Sequence, residues 1–409
     1  MNSTAPRPEK RPFSRYQSLL VLSLGFLLFG MALDFMLMPA LSAMVLESMA
    51  LSTEAFALIL SLNSLAAGIS AFALSLFADR IERKKLLLIT YALFCGGLIG
   101  SALAPDYHTL IAARLATGIS GGMIAALCFT LISEHFEEKQ KGRAMGLIQI
   151  PFGIGQLAGL PLALYLAAEF QWQYAYAALA LVAILAFFLA LSLIGRSEVT
   201  QSPDSHFWQN WLAVFKAKKQ QYCLANNFLL ITADVAFMSF SSAYFIFNQG
   251  LEEADLASVF GLAGVSSLAF GPLFGFWADR FGQGKIFSLS TLLGALVLIP
   301  LSLLSDLGLN WILVLNSLLF CSVAGRTVSA GALSLMVPRP ENRASFLSID
   351  SALQRVAAGF GAALAGWILV QSENNRMLNY PQLLLLILII YGLSTWLFFI
   401  IQRRLKSEF

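Results

Sequence analysis

The sequence predicts an all-α membrane protein whose twelve transmembrane helices form two pseudo-symmetric six-helix bundles, with both termini in the cytoplasm. Three observations support this prediction: the composition, the number of long apolar segments, and an internal repeat. Hydrophobic residues make up 58% of the 409 residues and charged residues only 12%, and the mean hydropathy is +0.74. Because soluble domains carry about twice this share of charge, the composition excludes an ordinary soluble protein.

The apolar segments are long enough to cross a bilayer as helices. Crossing the hydrocarbon core takes roughly 20 apolar residues. Twelve segments meet this requirement, at residues 17–41, 55–77, 86–104, 109–133, 143–167, 173–195, 222–247, 256–277, 285–304, 310–336, 344–370 and 382–402. An even number of spans places both termini on one side of the membrane.

Lysine and arginine are distributed unequally between the loops that these spans define. If both termini are cytoplasmic, 22 of the 26 basic residues fall in cytoplasmic segments, and the external loops contain only Arg376. This distribution follows the positive-inside rule and predicts the orientation. The net charge of +3 is therefore a signal of topology and does not indicate nucleic-acid binding.

An offset of two hundred residues recurs along the chain and indicates two copies of one unit. Asp34 matches Asp234, residues 78–80 match residues 278–280, and Arg143 matches Arg343. Such symmetry is typical of transporters whose halves move about a site between them. The predicted organisation is a tail at 1–16, a first bundle at 17–195, a linker at 196–221, a second bundle at 222–402 and a tail at 403–409. Aromatic residues at helical spacing in the linker suit either a helix lying on the membrane surface or an irregular linker with exposed aromatics.

The loop after the second span resembles the signature of the major facilitator superfamily, G-x-x-x-D-R-x-G-R-[RK]. Residues 75–85 read SLFADRIERKK, with Ser75 and Glu82 in place of the two glycines. The second copy, residues 275–282, reads GFWADRFG and keeps both glycines but lacks the basic pair. The resemblance covers all twelve spans. It implies a transporter with two six-helix halves that works by alternating access.

Two spans carry small residues that are similar to further motifs of this superfamily. The fourth span contains the series Arg114, Gly118 and Gly122. The fifth resembles the G-x-x-x-G-P-x-x-G-G motif of proton-coupled antiporters through Gly155, Gly159 and Pro161, although its proline comes one residue late. Small residues let helices approach closely, so tight packing is an adequate alternative interpretation.

The resemblance also implies a cytoplasmic gate formed between the two halves. We expect Asp79 to face the start of the eleventh span near Arg343, because a carboxylate stabilises the positive N-terminus of a helix. Asp279 is expected at the start of the fifth span near Arg143. These contacts form only when the cytoplasmic side is closed. The predicted gate comprises Asp79, Arg80, Arg83, Lys84, Arg143, Asp279, Arg280 and Arg343.

Charged residues within the spans are the strongest candidates for a functional site, because a charge in the bilayer needs a partner or a role. The predicted spans contain Asp34, Asp234, Asp350, Arg114, Arg326 and Arg355. They occupy spans one, four, seven, ten and eleven. The resemblance implies that these spans line a central cavity, whereas spans three, six, nine and twelve pack outside it.

Asp34 and Arg114 lie at similar predicted depths, and we expect them to form an ion pair. A carboxylate beside a guanidinium stays ionised, whereas a desolvated carboxylate without one takes up a proton. Asp34, Arg114 and Asp234 are therefore the predicted proton-coupling residues. The alternative is that Arg114 extends to the external lipid headgroups.

The second half combines one aspartate with two arginines. Asp234, Arg326 and Arg355 are predicted near one plane, as a structural cluster or as a site for an anionic substrate group. Asp350 is expected to reach the cytoplasmic interface. The remaining cavity candidates are Asn63, Gln149, Gln156, Phe237, Phe240, Tyr244 and Asn316.

These features predict a secondary transporter, most similar to bacterial drug-type exporters of the superfamily. The favoured function is proton-coupled efflux of small amphiphilic organic compounds by a monomer in the bacterial inner membrane. The alternatives are an importer or facilitator of a polar or anionic solute, and a non-transporting membrane sensor. No cofactor, metal or enzymatic activity is expected, because no span contains a histidine or a nucleophile–base pair. The four cysteines fall within spans and are expected to serve in packing.

Overall fold

The computed structural model describes residues 12–77, 82–148, 150–194, 213–304, 306–338 and 342–406. The described chain is almost entirely helical, because a segment surrounded by lipid must satisfy its backbone hydrogen bonds internally. The first half contains α1 (Arg15–Ala40), α2 (Ser42–Ser48), α3 (Thr53–Phe77), α4 (Arg83–Ala102), α5 (Tyr107–His135), α6 (Glu138–Leu147), α7 (Ile150–Ile154), a π-helical turn (Gly155–Gly159), α8 (Leu160–Glu169) and α9 (Trp172–Leu193).

The second half repeats this order and adds a small hairpin. It contains α10 (Lys218–Met238), α11 (Ser241–Phe247), α12 (Asp255–Phe281), α13 (Gln283–Leu303), α14 (Gly308–Met336), α15 (Arg343–Ile368), β1 (Val370–Gln371), β2 (Met377–Leu378) and α16 (Tyr380–Lys406). The two strands are antiparallel, with Val370 opposite Leu378. The hairpin connects the last two spans.

The predicted all-α membrane fold is confirmed. Within the described residues, ten helices are long and apolar enough to cross a membrane. The fifth span is divided among α6, α7, the π turn and α8, and the eleventh is the 26-residue helix α15. Together these correspond to the twelve predicted spans. Which face is cytoplasmic stays a prediction, so we call the face where α1 begins the termini face and the opposite one the distal face.

The internal repeat is visible in the helix breaks. The first span breaks at Leu41 before α2, and the seventh breaks at Ser239–Phe240 before α11. The seventh span, predicted at 222–247, is therefore built from α10 and α11 together. The two short helices meet at the distal face, where the backbone N–H of Ala243 donates to Ser42 Oγ at 3.1 Å.

Helix α3 of the first half and α15 of the second pack together near the distal face. Thr53 Oγ1 donates to the carbonyl of Leu369 at 2.7 Å, and Ser61 Oγ donates to that of Gly359 at 2.9 Å. A Cβ atom added at Gly366 would lie 2.1 Å from the Cβ of Ala57. The halves are therefore closely joined on this side.

The predicted gate contact at the termini face is not formed in this structure. Arg143 lies 4.6 Å from the ring centroid of Phe13, and Asp279 is exposed at the end of α12. Among the described residues there is no ion pair between Asp279 and Arg143, and because the contact is predicted only for a state closed at this face, it stays a prediction. The pair requires the two halves to meet at the termini face, whereas here they meet at the distal face.

The other gate residues are dispersed over this face. Arg83 pairs with Glu134 of its own half at 3.3 Å, Lys84 is half-buried at the start of α4, and Arg343 is exposed. The guanidinium of Arg280 lies 5.4 Å from the ring centroid of Phe281. Asp79 and Arg80 lie outside the described residues.

The predicted helix-packing glycines do bring helices together. A Cβ at Gly118 would lie 2.3 Å from the carbonyl oxygen of Asn63, and one at Gly122 would lie 2.0 Å from that of Ala67. Helix α5 can therefore approach α3 only with glycine at these positions.

Small residues of the fifth span also allow close packing, with α1 on one side and with the second half on the other. A Cβ at Gly159 would lie 3.0 Å from Leu33 of α1, and Gly155 faces Phe29 of the same helix. Pro161 packs against Gly261 of the other half. Proline has no N–H group to donate and therefore interrupts the hydrogen bonds of a helix. This explains the π turn just before Pro161.

Candidate functional site

A cavity of about 100 Å³ lies between the two halves. Helices from both halves form its walls, which are mostly apolar and aromatic with a few polar side chains. The lining residues are Phe35, Met36, Pro39, Ala40, Leu60, Asn63, Ser64, Arg114, Gln156, Leu160, Val235, Met238, Ser239, Phe260, Phe320 and Ala362. Two of the predicted cavity residues, Asn63 and Gln156, are among them. Such a mixture is typical of sites for small organic molecules.

Asp34 and Arg114 form a buried ion pair at the wall of this cavity, as predicted. Arg114 Nη1 donates to Asp34 Oδ1, and the two residues are 4% and 2% exposed. The alternative, in which Arg114 extends to the headgroups, is therefore wrong. The guanidinium also lies 5.6 Å from the ring centroid of Tyr176 on α9.

The backbone of Arg114 is held by a neighbouring helix. Asn63 Nδ2 on α3 donates to the Arg114 carbonyl at 2.8 Å and to Thr117 Oγ1 at 3.0 Å. Asn63 can reach these groups because Gly118 allows α3 to lie directly against α5. Asn63 therefore lines the cavity while its amide group is already engaged in positioning the ion pair.

Arg355 belongs to this site and not to the Asp234 cluster, which corrects the predicted grouping. Its guanidinium lies 5.2 Å from the ring centroid of Phe35, a cavity residue, and its charge interacts with that of Asp34. Within the described part of the chain, no group accepts a hydrogen bond from Arg355 and no carboxylate pairs with it. Arg355 does not itself line the cavity, but it adds a second guanidinium group on the side of Asp34 and Phe35, which leaves one excess positive charge there.

The second half contains an analogous but sealed cluster. Arg326 Nη2 donates to Asp234 Oδ1 at 2.8 Å, and the Tyr391 hydroxyl donates to the same oxygen at 3.0 Å. The guanidinium lies 4.0 Å from the ring centroid of Tyr391 and is fully buried. Neither Asp234 nor Arg326 lines the cavity, which corrects the prediction for Arg326. Depth along a helix cannot show whether a side chain points toward the other half or into its own.

Three further candidates do not line the cavity either. Asn316 donates to the Val259 carbonyl at 3.3 Å and joins two helices of one half. Tyr244 stacks on Tyr380 with ring centroids 3.8 Å apart, and Phe237 contacts the same ring edge-on. These aromatic residues fill the distal part of the second half. Gln149 lies outside the described residues.

Asp350 is buried and does not reach the interface, contrary to the prediction. It is 4% exposed, and its carboxylate accepts hydrogen bonds from the amides of Asn227 and Gln354. The amides satisfy the carboxylate where it lies, which removes the need for it to reach water. Sequence reasoning also missed Tyr176 and Tyr391, because both lie on spans that were expected to pack outside the cavity.

The family model described as Major Facilitator Superfamily matches residues 22–337 and 250–408. The chain is 24% identical to the uncharacterised MFS-type transporter YbcL of Bacillus subtilis, over 79% of this chain and 81% of that protein.

Other relatives are covered less completely. The putative niacin/nicotinamide transporter NiaP of Bacillus subtilis is 29% identical over 51% of this chain and 52% of its own length. A probable sugar efflux transporter of Pasteurella multocida is 24% identical over 64% of each protein. The crystal structure of a mutant of the nucleoside transporter NupG superposes with a TM-score of 0.76 at 14% identity, covering 93% of this chain and 99% of that one, which shows a shared fold.

Proposed function

The chain belongs to the Major Facilitator Superfamily and is a transporter of that kind, and we propose that it is a secondary active exporter of small amphiphilic organic molecules driven by the proton gradient. On this proposal it works as a monomer in a bacterial cytoplasmic membrane. The substrate binds in the cavity between the halves, which then rock to expose the cavity to the other side.

The arrangement of contacts between the halves supports alternating access. The halves are joined at the distal face through α3 and α15, while Asp279 and Arg143 at the termini face are apart. The opposite state would break the first set of contacts and form the second. Under the predicted orientation, the described state is closed toward the exterior.

The observation that carries proton coupling is the buried Asp34–Arg114 pair at the cavity wall. A guanidinium beside a carboxylate favours the ionised form of that carboxylate. If helix movement in the substrate-free protein draws Arg114 away, the desolvated carboxylate takes up a proton, and this proton must leave before the pair forms again and substrate binds. Substrate and proton thereby bind in turn, which is the requirement for exchange.

This role is tested with the Asp34→Asn variant. A thermal-shift screen of the purified protein against amphiphilic compounds first supplies a ligand, and substrate-driven proton flux is then measured in proteoliposomes. We expect Asp34→Asn to abolish proton flux, while Glu54→Gln, which changes an exposed carboxylate, leaves it unchanged. An unaltered pH dependence of transport in Asp34→Asn would contradict the proposal.

Export is proposed from the antiporter-like residues of the fifth span, and one relative bears the name of a sugar efflux transporter. The direction is measured by ligand accumulation in right-side-out and inside-out vesicles with an imposed proton gradient. An exporter accumulates its ligand only in inside-out vesicles. Accumulation in right-side-out vesicles alone would show uptake instead.

Import or facilitated transport of an anionic solute is the second candidate, and Arg355 favours it. The excess positive charge beside an apolar cavity suits a carboxylate attached to an apolar ring. Benzoate and its neutral analogue benzamide distinguish the two candidates. If an anion is bound, Arg355→Gln weakens benzoate binding selectively, whereas Arg376→Gln, an exposed control in the hairpin between the last two spans, does not. Equal effects on both compounds would exclude an anion site at Arg355.

A further inference from the structure

Asp350 differs from the other two aspartates within the spans because no arginine pairs with it. Asn227 Nδ2 of α10 lies 2.9 Å and 3.0 Å from the two carboxylate oxygens, and Gln354 Nε2 donates to Oδ2 at 3.0 Å. Asn227 Nδ2 also donates to Ser334 Oγ of α14 at 2.8 Å. Every described donor to this carboxylate is therefore uncharged.

The surroundings contain little else that titrates. Cys223 of α10 is a buried thiol that contacts Ser334 at 3.5 Å. The arginines on the neighbouring helices face elsewhere. On α15, Arg355 lies against Phe35 and Arg343 is exposed at the start of the helix, and on α14 Arg326 pairs with Asp234. Among the described residues, Asp350 thus has no cation within ion-pair distance.

An uncompensated carboxylate in a low-dielectric interior is costly and is neutralised by a proton or a bound cation. The amide partners can accommodate a proton on this carboxyl group. A side-chain amide can donate to a carboxylate and, after rotation, accept from a carboxylic acid, whereas a guanidinium can only donate. Asn227 and Gln354 can therefore hold Asp350 in both protonation states.

A cavity of about 190 Å³ adjoins this carboxylate between α10, α14 and α15. Its walls include Asp350, Asn227, Gln354 and the hydroxyl-bearing residues Thr327 and Ser334. A water molecule occupies about 30 Å³ of liquid and needs two to four polar partners, so the cavity can hold water next to the carboxylate. None of the residues that line it lines the central cavity.

We propose that Asp350 is a second proton-binding site of this protein, separate from the central cavity. Proton uptake turns its carboxyl group from an acceptor into a donor and rearranges the contact between α10 and α15. Helix α15 also carries the distal contacts with α3, so the protonation of Asp350 acts on the helix that closes the distal face. This proposal does not depend on the role of Asp34, because proton binding is measurable without substrate.

Infrared difference spectroscopy of proteoliposomes at a series of pH values tests the proposal. The wild-type protein should show a carboxylic acid C=O band that disappears as the pH rises. We expect Asp350→Asn to lack this band and Asp34→Asn to retain it. A spectrum of Asp350→Asn that keeps every titrating carboxylic band overturns the proposal, as does a band that responds to Na⁺ at constant pH.

A second variant keeps the test decisive if Asp350→Asn does not fold. Asn227→Ala removes a donor that stabilises the ionised form and leaves the carboxyl group in place. The midpoint of the Asp350 band should then shift to higher pH. An unchanged midpoint overturns the proposal.

Discussion

The two halves of this transporter contain the same three residue types on equivalent spans, in two different environments. Asp34, Arg114 and Tyr176 lie on spans one, four and six, and Asp234, Arg326 and Tyr391 lie on spans seven, ten and twelve. The first cluster borders the central cavity and interacts with Arg355 of the other half. The second is sealed inside its own half.

This difference indicates how a duplicated unit can serve two purposes. Removing one partner of a buried ion pair leaves a buried charge, so both pairs are costly to break. Of these two described pairs, the cavity pair alone can exchange its partner with a substrate, because Arg114 lines the cavity whereas neither Asp234 nor Arg326 does. We infer that the sealed cluster stabilises the second half and that the cavity cluster performs transport.

The largest effect is expected on breaking the sealed pair. Arg326→Met leaves Asp234 buried without its cation, and we expect a loss of about 3–5 kcal/mol of folding stability. Arg355→Met is the matched control in the same half, since no described group pairs with Arg355. Thermal unfolding of the purified proteins measures both. Equal midpoints for the two variants would contradict a structural role for the sealed cluster.

The next largest effect is a difference in folding stability between substitutions of Tyr391 and Tyr176. The Tyr391 hydroxyl donates to Asp234 Oδ1 at 3.0 Å, whereas the buried Tyr176 hydroxyl has no partner among the described residues. Tyr391→Phe should therefore cost about 1.5–3 kcal/mol, the value of a hydrogen bond to a charged group. Tyr176→Phe should be close to neutral. The comparison fails if the two substitutions lower the unfolding temperature by the same amount.

Positioning of the cavity pair depends on a close helix approach. A Cβ at Gly118 would lie 2.3 Å from the Asn63 carbonyl, so Gly118→Ala should push α3 away and cost about 1–3 kcal/mol. It should also reduce ligand binding, because Asn63 holds the backbone of Arg114. Gly121→Ala is the control, since its nearest neighbour is Met31 at 3.7 Å. Indistinguishable stability and binding in the two variants would argue against this positioning.

The smallest effect concerns pH at the distal face, where each half contributes an acid. Partial burial, and then the charge of Glu47 in the first half, raise the pKa of Glu253 in the loop before α12. Protonation of Glu253 therefore favours the distal-closed state, and this preference is lost as the pH rises through the raised pKa. Glu47→Gln should weaken the pH dependence. Distances between spin labels on the two halves, recorded over a pH series, measure this pH dependence. The same pH dependence in Glu47→Gln and in the wild-type protein would show that the two carboxylates do not interact.

Much of the membrane architecture could be predicted from the sequence. Span number, the repeat and the in-span charges follow from hydropathy and residue order. The Asp34–Arg114 pair followed from similar depth and from the neighbouring positions of spans one and four that the family resemblance implies. Depth was not sufficient for Arg355, which was grouped with Asp234 but lies against Phe35 of the other half. The sequence analysis assigned the excess positive charge to the surroundings of Asp234, whereas the structure places Arg355 near Asp34.

The sequence by itself determined that this chain crosses a membrane as two related six-helix units and that six charges lie within them. The length of an apolar segment and the distribution of charges can be read along the chain. The bilayer constrains both, through the thickness of its hydrocarbon core and through the positive-inside rule. Only the tertiary structure decided which charges meet the cavity, which cluster is sealed and how amides surround Asp350. Those outcomes depend on the rotation of each helix about its axis, which the packing of neighbouring helices sets.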